Sequence, residues 1–254
     1  MNLIKSAALI AALAAPALAS ALPYTVTKGA KNVVLVHGAY VDASSTWRQI
    51  HDRLWIEGYN VTVVQQTNDT LDENVAATRA AIEAQDGPVV LVGHDIGGVV
   101  VSIAGTAEKV KSLVYVAALQ PATGESAAQL LASKPALHND LRVTADGRQS
   151  IVPAKFPEVY AGDIPPNRTN FLKVAQNGVS PASLNTPAWD SAWRSKPSYA
   201  IVATQDKVIN PELQRWMYQR AGSKIVEIQS SHALNLAKPE EVAAVIVKAA
   251  QEVK

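Results

Sequence analysis

Pro88-Val89-Val90-Leu91-Val92-Gly93-His94-Asp95-Ile96-Gly97-Gly98 carries a buried strand straight into a helix. Val89 to Val92 form an unbroken branched apolar run, the mark of a strand covered on both faces. Beyond the glycines, Val99-Val100-Val101-Ser102-Ile103-Ala104-Gly105 is small and apolar enough to be a buried helix. A strand that bends at once into a helix, with small residues two before and two after a central side chain, is a nucleophile elbow. Gly93 and Gly97 stand there because the bend is strained and a Cβ at either position would meet neighbouring backbone. The central residue projects at the carboxyl edge of the sheet, where open α/β folds place their ligands. Serine is usual at that point; here it is Asp95.

Outward from this bend, strand and helix patterns alternate. Asn32 to Val36 reads as a strand. Ser45 to Gly58 reads as a helix with Trp47, Ile50, Leu54 and Trp55 on one face. Val61 to Val64 is the next strand. The helix from Leu71 to Ala84 follows Thr70, with Glu73 placed for a capping box. Past the bend come the strands Ser112–Val116, Ser198–Val202 and Ile225–Ile228. Helices over Pro211–Ala221 and Pro239–Val253 follow the last two, each with proline in its first turn. The pattern predicts an α/β fold, a doubly wound and mostly parallel sheet. Between about 120 and 196 the rhythm breaks into a Pro-, Ala-, Ser- and Asn-rich stretch with only short helical patterns, such as Ser126 to Ala132. A span of that kind predicts a helical lid insertion. Phe156, Tyr160, Phe171, Trp189 and Trp193 lie in it or at its return.

The 254 residues suit one catalytic-sized domain, and 48% hydrophobic content suffices for a large core. A net charge of +1 without long charge runs gives no footprint for nucleic acid. With no cysteine, disulfides, thiolate nucleophiles and thiolate metal sites are excluded. No ligand cluster of suitable spacing points to a metal, and no motif calls for an organic cofactor. The expected partner is a small-molecule substrate. The amino terminus has a short basic start (Met1 to Lys5), an apolar stretch from Ala7 to Ala15, and the small-residue site Ala17-Leu18-Ala19. This predicts a signal peptide over 1–19, cleaved after Ala19 or Ala21, and a secreted or periplasmic domain over 22–254. The apolar part is too short for a membrane span, so no stable insertion of the mature chain is expected.

An elbow residue needs a base and an acid, in the chain order nucleophile, acid, histidine. Asp206, in Ala203-Thr204-Gln205-Asp206-Lys207, follows the first strand after the insertion. His232, in Ser230-Ser231-His232-Ala233, follows the last strand. Of the five histidines only His232 is so placed: His37 and His94 sit beside glycines in turns where they hydrogen-bond backbone, and His51 and His138 belong to no motif. A developing oxyanion needs two donors. Ile96 N–H opens a helix, where donors are unpaired and the dipole favours negative charge. The second donor is assigned to Ala39 N–H in Val36-His37-Gly38-Ala39-Tyr40, with Tyr40 N–H the alternative; the Tyr40 and Tyr160 side chains are candidates to line the substrate pocket.

From about Asn32 onward the chain resembles the α/β-hydrolase superfamily, and more narrowly the branch of plant methyl esterases, hydroxynitrile lyases and bacterial esterase-like relatives. Val34-Leu35-Val36-His37-Gly38-Ala39, Ala117-Ala118-Leu119-Gln120, Ala203 to Pro211 and Ser231 to Pro239 carry that likeness. It implies esterase chemistry, but the branch uses serine where this chain has Asp95. Aspartate there resembles haloalkane dehalogenases, haloacetate dehalogenases and epoxide hydrolases, and implies carboxylate attack, a covalent ester and its hydrolysis by histidine-activated water. Ile96 stands where haloalkane dehalogenases carry a halide-binding tryptophan and haloacetate dehalogenases an arginine. Epoxide hydrolases pair two lid tyrosines; here the insertion offers Tyr160, and Tyr40 is either a second acid or a pocket wall. Three readings follow. One is a hydrolase with Asp95 as covalent nucleophile, an epoxide favoured over a halide. Another is an esterase- or lyase-like member in which His232 works as general acid/base. The last is a binding protein for a small apolar ligand, against which retention of an oriented His232 and Asp206 argues.

Overall fold

Alternate residues of each central strand feed two different cores. Val34, Val36, Val89 and Leu91 pack on one side of the sheet with Val75, Ile82, Val99 and Ile103. Val33, Leu35, Val90 and Val92 pack on the other with Trp47, Ile50, Leu54, Val242 and Ile246. Each such side chain, fully buried, contributes about 1.5–3 kcal/mol, and burial on both faces is why these strands are apolar at every position rather than every second one.

The computed structural model describes residues 28–138 and 140–254. The expected signal peptide, 1–19, and the first residues of the expected 22–254 domain lie outside them. In chain order the elements are β1 (Asn32–Val36), α1 (Ala43–Ile56), β2 (Asn60–Val64), α2 (Leu71–Glu83), β3 (Val89–Asp95), α3 (Gly97–Ala104) and β4 (Val110–Ala118). An insertion follows, holding α4 (Ala127–Ser133), β5 (Leu141–Val143), β6 (Gln149–Ile151), α5 (Phe156–Tyr160), α6 (Pro166–Leu172), α7 (Pro181–Asn185) and a 3-10 turn at Ala192–Arg194. The sheet then resumes with β7 (Ser198–Ala203), α8 (Pro211–Arg220), β8 (Lys224–Ile228), α9 (Leu234–Ala237) and α10 (Pro239–Gln251).

Six strands form one parallel sheet in the order β2-β1-β3-β4-β7-β8. From β1 the chain crosses first to β2 on one side and then back to β3 on the other. The loops after β1 and β3 therefore lead apart, and the crevice between them is the switch point where open α/β sheets bind ligands. Among the described residues no helix is long and apolar enough to cross a membrane.

Four local expectations change. Helix α1 begins at Ala43, two residues before the predicted start, because the Asp42 carboxylate caps it by accepting from Ser45 N–H at 2.7 Å. Trp55 is 54% exposed; it lies about 100° round the helix from Leu54, past the apolar stripe. Thr70 Oγ accepts from Glu73 N–H, which is one half of the predicted box; both halves occur instead at Ser126 and Gln129. The insertion, read as short helices only, also holds the antiparallel pair β5-β6. Those strands are three residues each, too short for their alternation to register.

Candidate active site

The bend after β3 is built by close approach. A Cβ on Gly97 would sit 2.7 Å from the His37 carbonyl oxygen, and one on Gly93 would sit 2.7 Å from the Gly97 oxygen. Side chains at either place would part β3 from α3 or from the loop after β1. Asp95 itself has φ +54°, a left-handed conformation that a non-glycine residue holds only when its surroundings impose it. The result is a carboxylate at the switch point, 3% exposed and enclosed by three loops.

Each oxygen of that carboxylate has a separate environment. Oδ2 accepts from Ala39 N–H at 2.7 Å, and Ile96 N–H at the start of α3 also favours its charged form. Oδ1 faces His232 Nε2 at 3.9 Å. Gly38 makes this possible: a Cβ there would fall 2.3 Å from Asp95 Cβ and 2.6 Å from Oδ2. Tyr40 N–H is turned away to Asn177 O in the insertion at 2.8 Å, so the donor at the carboxylate is Ala39 and not its neighbour.

His232, fully buried, is held at several points. Its Nδ1 lies 2.7 Å from Asp206 Oδ2. His94 Nε2 lies 3.0 Å from the His232 carbonyl oxygen, which places that proton on Nε2. Nε2 of His232 has no partner among the described residues and points toward Asp95. Asp206 is the most completely bonded carboxylate of the group. Oδ1 accepts from Val208 and Ile209 N–H at 2.7 and 2.9 Å, and Oδ2 accepts from Gln214 Nε2 at 2.8 Å besides the imidazole. A carboxylate held this way keeps the imidazole in one tautomer and one plane.

Electrostatics follow from enclosure. Burial pushes the Asp95 carboxyl up from 3.8 to about 6; His232 and the Ala39 and Ile96 N–H groups offset part of that, while Asp206 adds to it. For His232 burial opposes the charge, but the Asp206 and Asp95 carboxylates outweigh it and its pKa is raised. Burial keeps His94 well below its ordinary value and therefore neutral, with the charge on His232 acting in the same direction.

The two candidate wall tyrosines also meet here. Tyr160 in α5 stacks on Phe156 at 4.9 Å between centroids and meets the His232 ring edge-on at 4.9 Å. Its hydroxyl is buried and has no partner among the described residues. Burial raises both phenols, and the nearby Asp95 charge raises them further. Of the other insertion aromatics, Phe171 and Trp189 are exposed, whereas Phe156 and Trp193 are buried. A pocket of about 520 Å³ opens behind the histidine loop, with Asp163, Asp206, Lys207 and Ser231 in its wall and Asp95 not in it.

Gln214 and Asp163 escaped the sequence reading. Gln214 lies on the buried face of α8 with Leu213 and Met217, and a polar residue in an apolar helical stripe was the signal available. Asp163, in an irregular turn, gave none.

A parallel α/β sheet with a sharp bend after its third strand, and an acid and a histidine after its last two, is the layout of an α/β hydrolase. Residues 33–245 match the alpha/beta hydrolase family, and the chain belongs to it. No curated protein sequence matches the chain. Its fold is similar to the pyrethroid hydrolase of Sphingobium faniae JZ-2, at 20% identity over 88% of this chain and 98% of that one, TM-score 0.71. It is similar to polyneuridine aldehyde esterase at 20% identity over 86% and 98%, TM-score 0.73. A methylesterase from Arabidopsis gives 17% identity over 86% and 98%, TM-score 0.72. At these identities the likeness speaks for the fold.

Proposed function

We propose that this chain is a hydrolase that opens a small, largely apolar electrophile at an sp³ carbon, with Asp95 as nucleophile, His232 as base and Asp206 as its orienting acid. One observation carries this reading: Asp95 Oδ2 is on the Ala39 N–H at 2.7 Å while Oδ1 faces His232 Nε2. In a serine enzyme those N–H donors wait for the carbonyl oxygen of an ester substrate. Here the enzyme's own carboxylate occupies them, which disfavours ester carbonyl binding and suits a substrate that carries no carbonyl to the hole.

The steps balance without a cofactor. With an epoxide, Oδ1 forms a bond to a ring carbon, the ring C–O bond breaks, and the alkoxide takes a proton from a phenol, Tyr160 or Tyr40. The product is an ester of Asp95. Esterification removes the Asp95 charge that helps raise His232, so its pKa falls and more of the imidazole stands neutral, the form that can accept a proton in the next step. His232 Nε2 then takes a proton from water, whose oxygen attacks Asp95 Cγ. The developing oxyanion is Oδ2, already on the Ala39 and Ile96 donors. Collapse releases the diol, and its oxygen takes the proton from His232. The second water proton, left on the Asp95 carboxyl, passes by way of solvent to the tyrosinate, which restores both carboxylate and phenol.

Single turnover in heavy-oxygen water tests this. One oxygen isotope is expected in the Asp95 carboxyl, read by mass spectrometry of its peptide. Turnover that leaves this peptide unlabelled favours the esterase- or lyase-like reading, in which His232 acts without a covalent step; the names of the esterase fold relatives support that alternative. Export is also proposed, on the basic start, apolar run and Ala17-Leu18-Ala19 site. Amino-terminal sequencing of the secreted protein should begin after Ala19 or Ala21.

A further inference from the structure

We infer that Asp163, carried by the insertion, is a positioning residue for His232; the inference rests on the triad reading above. Ser231, the residue just before His232, places both of its donors on Asp163. Its N–H lies 3.0 Å from Oδ2 and its hydroxyl donates to Oδ1. Ser230 Oγ adds a third bond to Oδ2 at 2.6 Å. On the far side, Ala233 N–H donates to the carbonyl of Tyr160 at 3.0 Å. Insertion residues thus grip the chain directly before and directly after the imidazole, whereas the sheet side reaches His232 itself only through Asp206 and His94.

The surroundings make that grip necessary. Asp163 and Ser231 both line the pocket of about 520 Å³ beside the loop, so on that side the buried histidine loop is held by the hydrogen bonds to Asp163. Burial alone would raise Asp163, but its serine partners hold it below the usual carboxylate range, so it accepts as a carboxylate at neutral pH. Without it the residues before His232 can shift into the pocket, and the line from Nε2 to Asp95 is lost. The insertion is then more than a cover. Through one carboxylate it sets the direction of the base.

The base acts in the second chemical step and the carboxylate in the first, so displacement should separate them. With styrene oxide as probe, Asp163→Ala is expected to form the Asp95 ester within about threefold of the wild-type rate and to hydrolyse it about 10- to 100-fold more slowly, so that the adduct mass accumulates. Ser231→Ala should shift the balance the same way, and Ser231→Thr, which keeps both donors, should restore it. A readout without turnover is the downfield proton resonance of His232 Nδ1 on Asp206. It should be present in wild type and Ser231→Thr, and broadened or lost in Asp163→Ala and Ser231→Ala. Folded Asp163→Ala or Ser231→Ala proteins with a wild-type resonance and wild-type ester hydrolysis overturn the inference. A wild type with no such resonance, or with no isotope in Asp95, counts instead against the triad reading beneath it.

Discussion

Replacing Asp95 by Asn measures what the buried carboxylate costs the fold. Burial is the main reason its carboxyl rises from 3.8 to about 6 in the folded chain. A difference of that size corresponds to about 3 kcal/mol of stability. Below 3.8 the carboxyl is protonated in both the folded and the unfolded chain, and the penalty is absent. Between 3.8 and about 6 the folded chain still holds a proton that the unfolded chain has released, so stability falls as pH rises. Above about 6 both are ionised and the full penalty applies. His232, raised in the folded chain, stabilises it below its ordinary 6.5 and loses that effect as pH rises through the raised value; the share owed to Asp206 is common to both proteins and cancels. Asparagine keeps an oxygen for Ala39 N–H and turns its amide toward the unpaired Nε2 of His232. Asp95→Asn should therefore be inactive yet about 3 kcal/mol more stable than wild type at pH 8, a Tm gain of about 6–12 °C. The gain should shrink toward pH 4. Urea melts of both proteins across that range measure it. A stability difference that is flat with pH, or an Asn variant weaker at pH 8, refutes the reasoning.

Gly38→Ala places a methyl 2.6 Å from Asp95 Oδ2 and must push the carboxylate off Ala39 N–H. Ester hydrolysis should fall about 10²- to 10³-fold, with about 1–3 kcal/mol lost in chemical melts; an unimpaired variant would show the contact to be unimportant. Formation of the Asp95 ester, followed by mass spectrometry, should rise with pH through about 6 as the carboxylate ionises. A rate independent of pH from about 5 to 8 contradicts that assignment. Tyr160→Phe removes a buried phenol at the His232 ring and should slow epoxide opening about 10²-fold while sparing a primary alkyl bromide, whose leaving halide needs no proton. Equal loss with both probes argues that the ring, and not the hydroxyl, matters.

The central sheet was legible because both of its faces are buried. Strands such as Val33–Val36 and Val89–Val92 are apolar at every position, a pattern no exposed segment sustains. The line Asp95, Asp206, His232 was legible for a topological reason: each stands at the carboxyl end of a strand, and chain order alone brings those ends to one edge. The insertion was not. Its helices are five to seven residues long and its strands three, below the length at which a period can be counted. Its contacts to the site run through the Tyr160 ring on His232, the Asp163 carboxylate on Ser231 and the backbone carbonyls of Tyr160 and Asn177, and single contacts of this kind leave no trace in hydrophobic pattern. Trp55 failed for a related reason: an aromatic adjoining an apolar stripe reads like part of it until the helix is packed.

Aspartate and serine at the elbow differ by more than charge. The carboxylate is one atom longer, and the extra oxygen has to go somewhere. Gly38 leaves the space, Ala39 N–H supplies the donor, and the other oxygen is left facing the imidazole. The donors are backbone N–H groups, of the kind a serine enzyme keeps for its substrate; what aspartate adds is a resident charge that occupies them. Here the donors that stabilise an oxyanion in acyl transfer hold a resident carboxylate before any substrate arrives, and under the proposed mechanism they would hold the same oxygen as the oxyanion of ester hydrolysis. That continuity is what favours the proposed covalent alkyl ester: a carboxylate attacking from this place would be held from the start by the groups that breakdown of its ester requires.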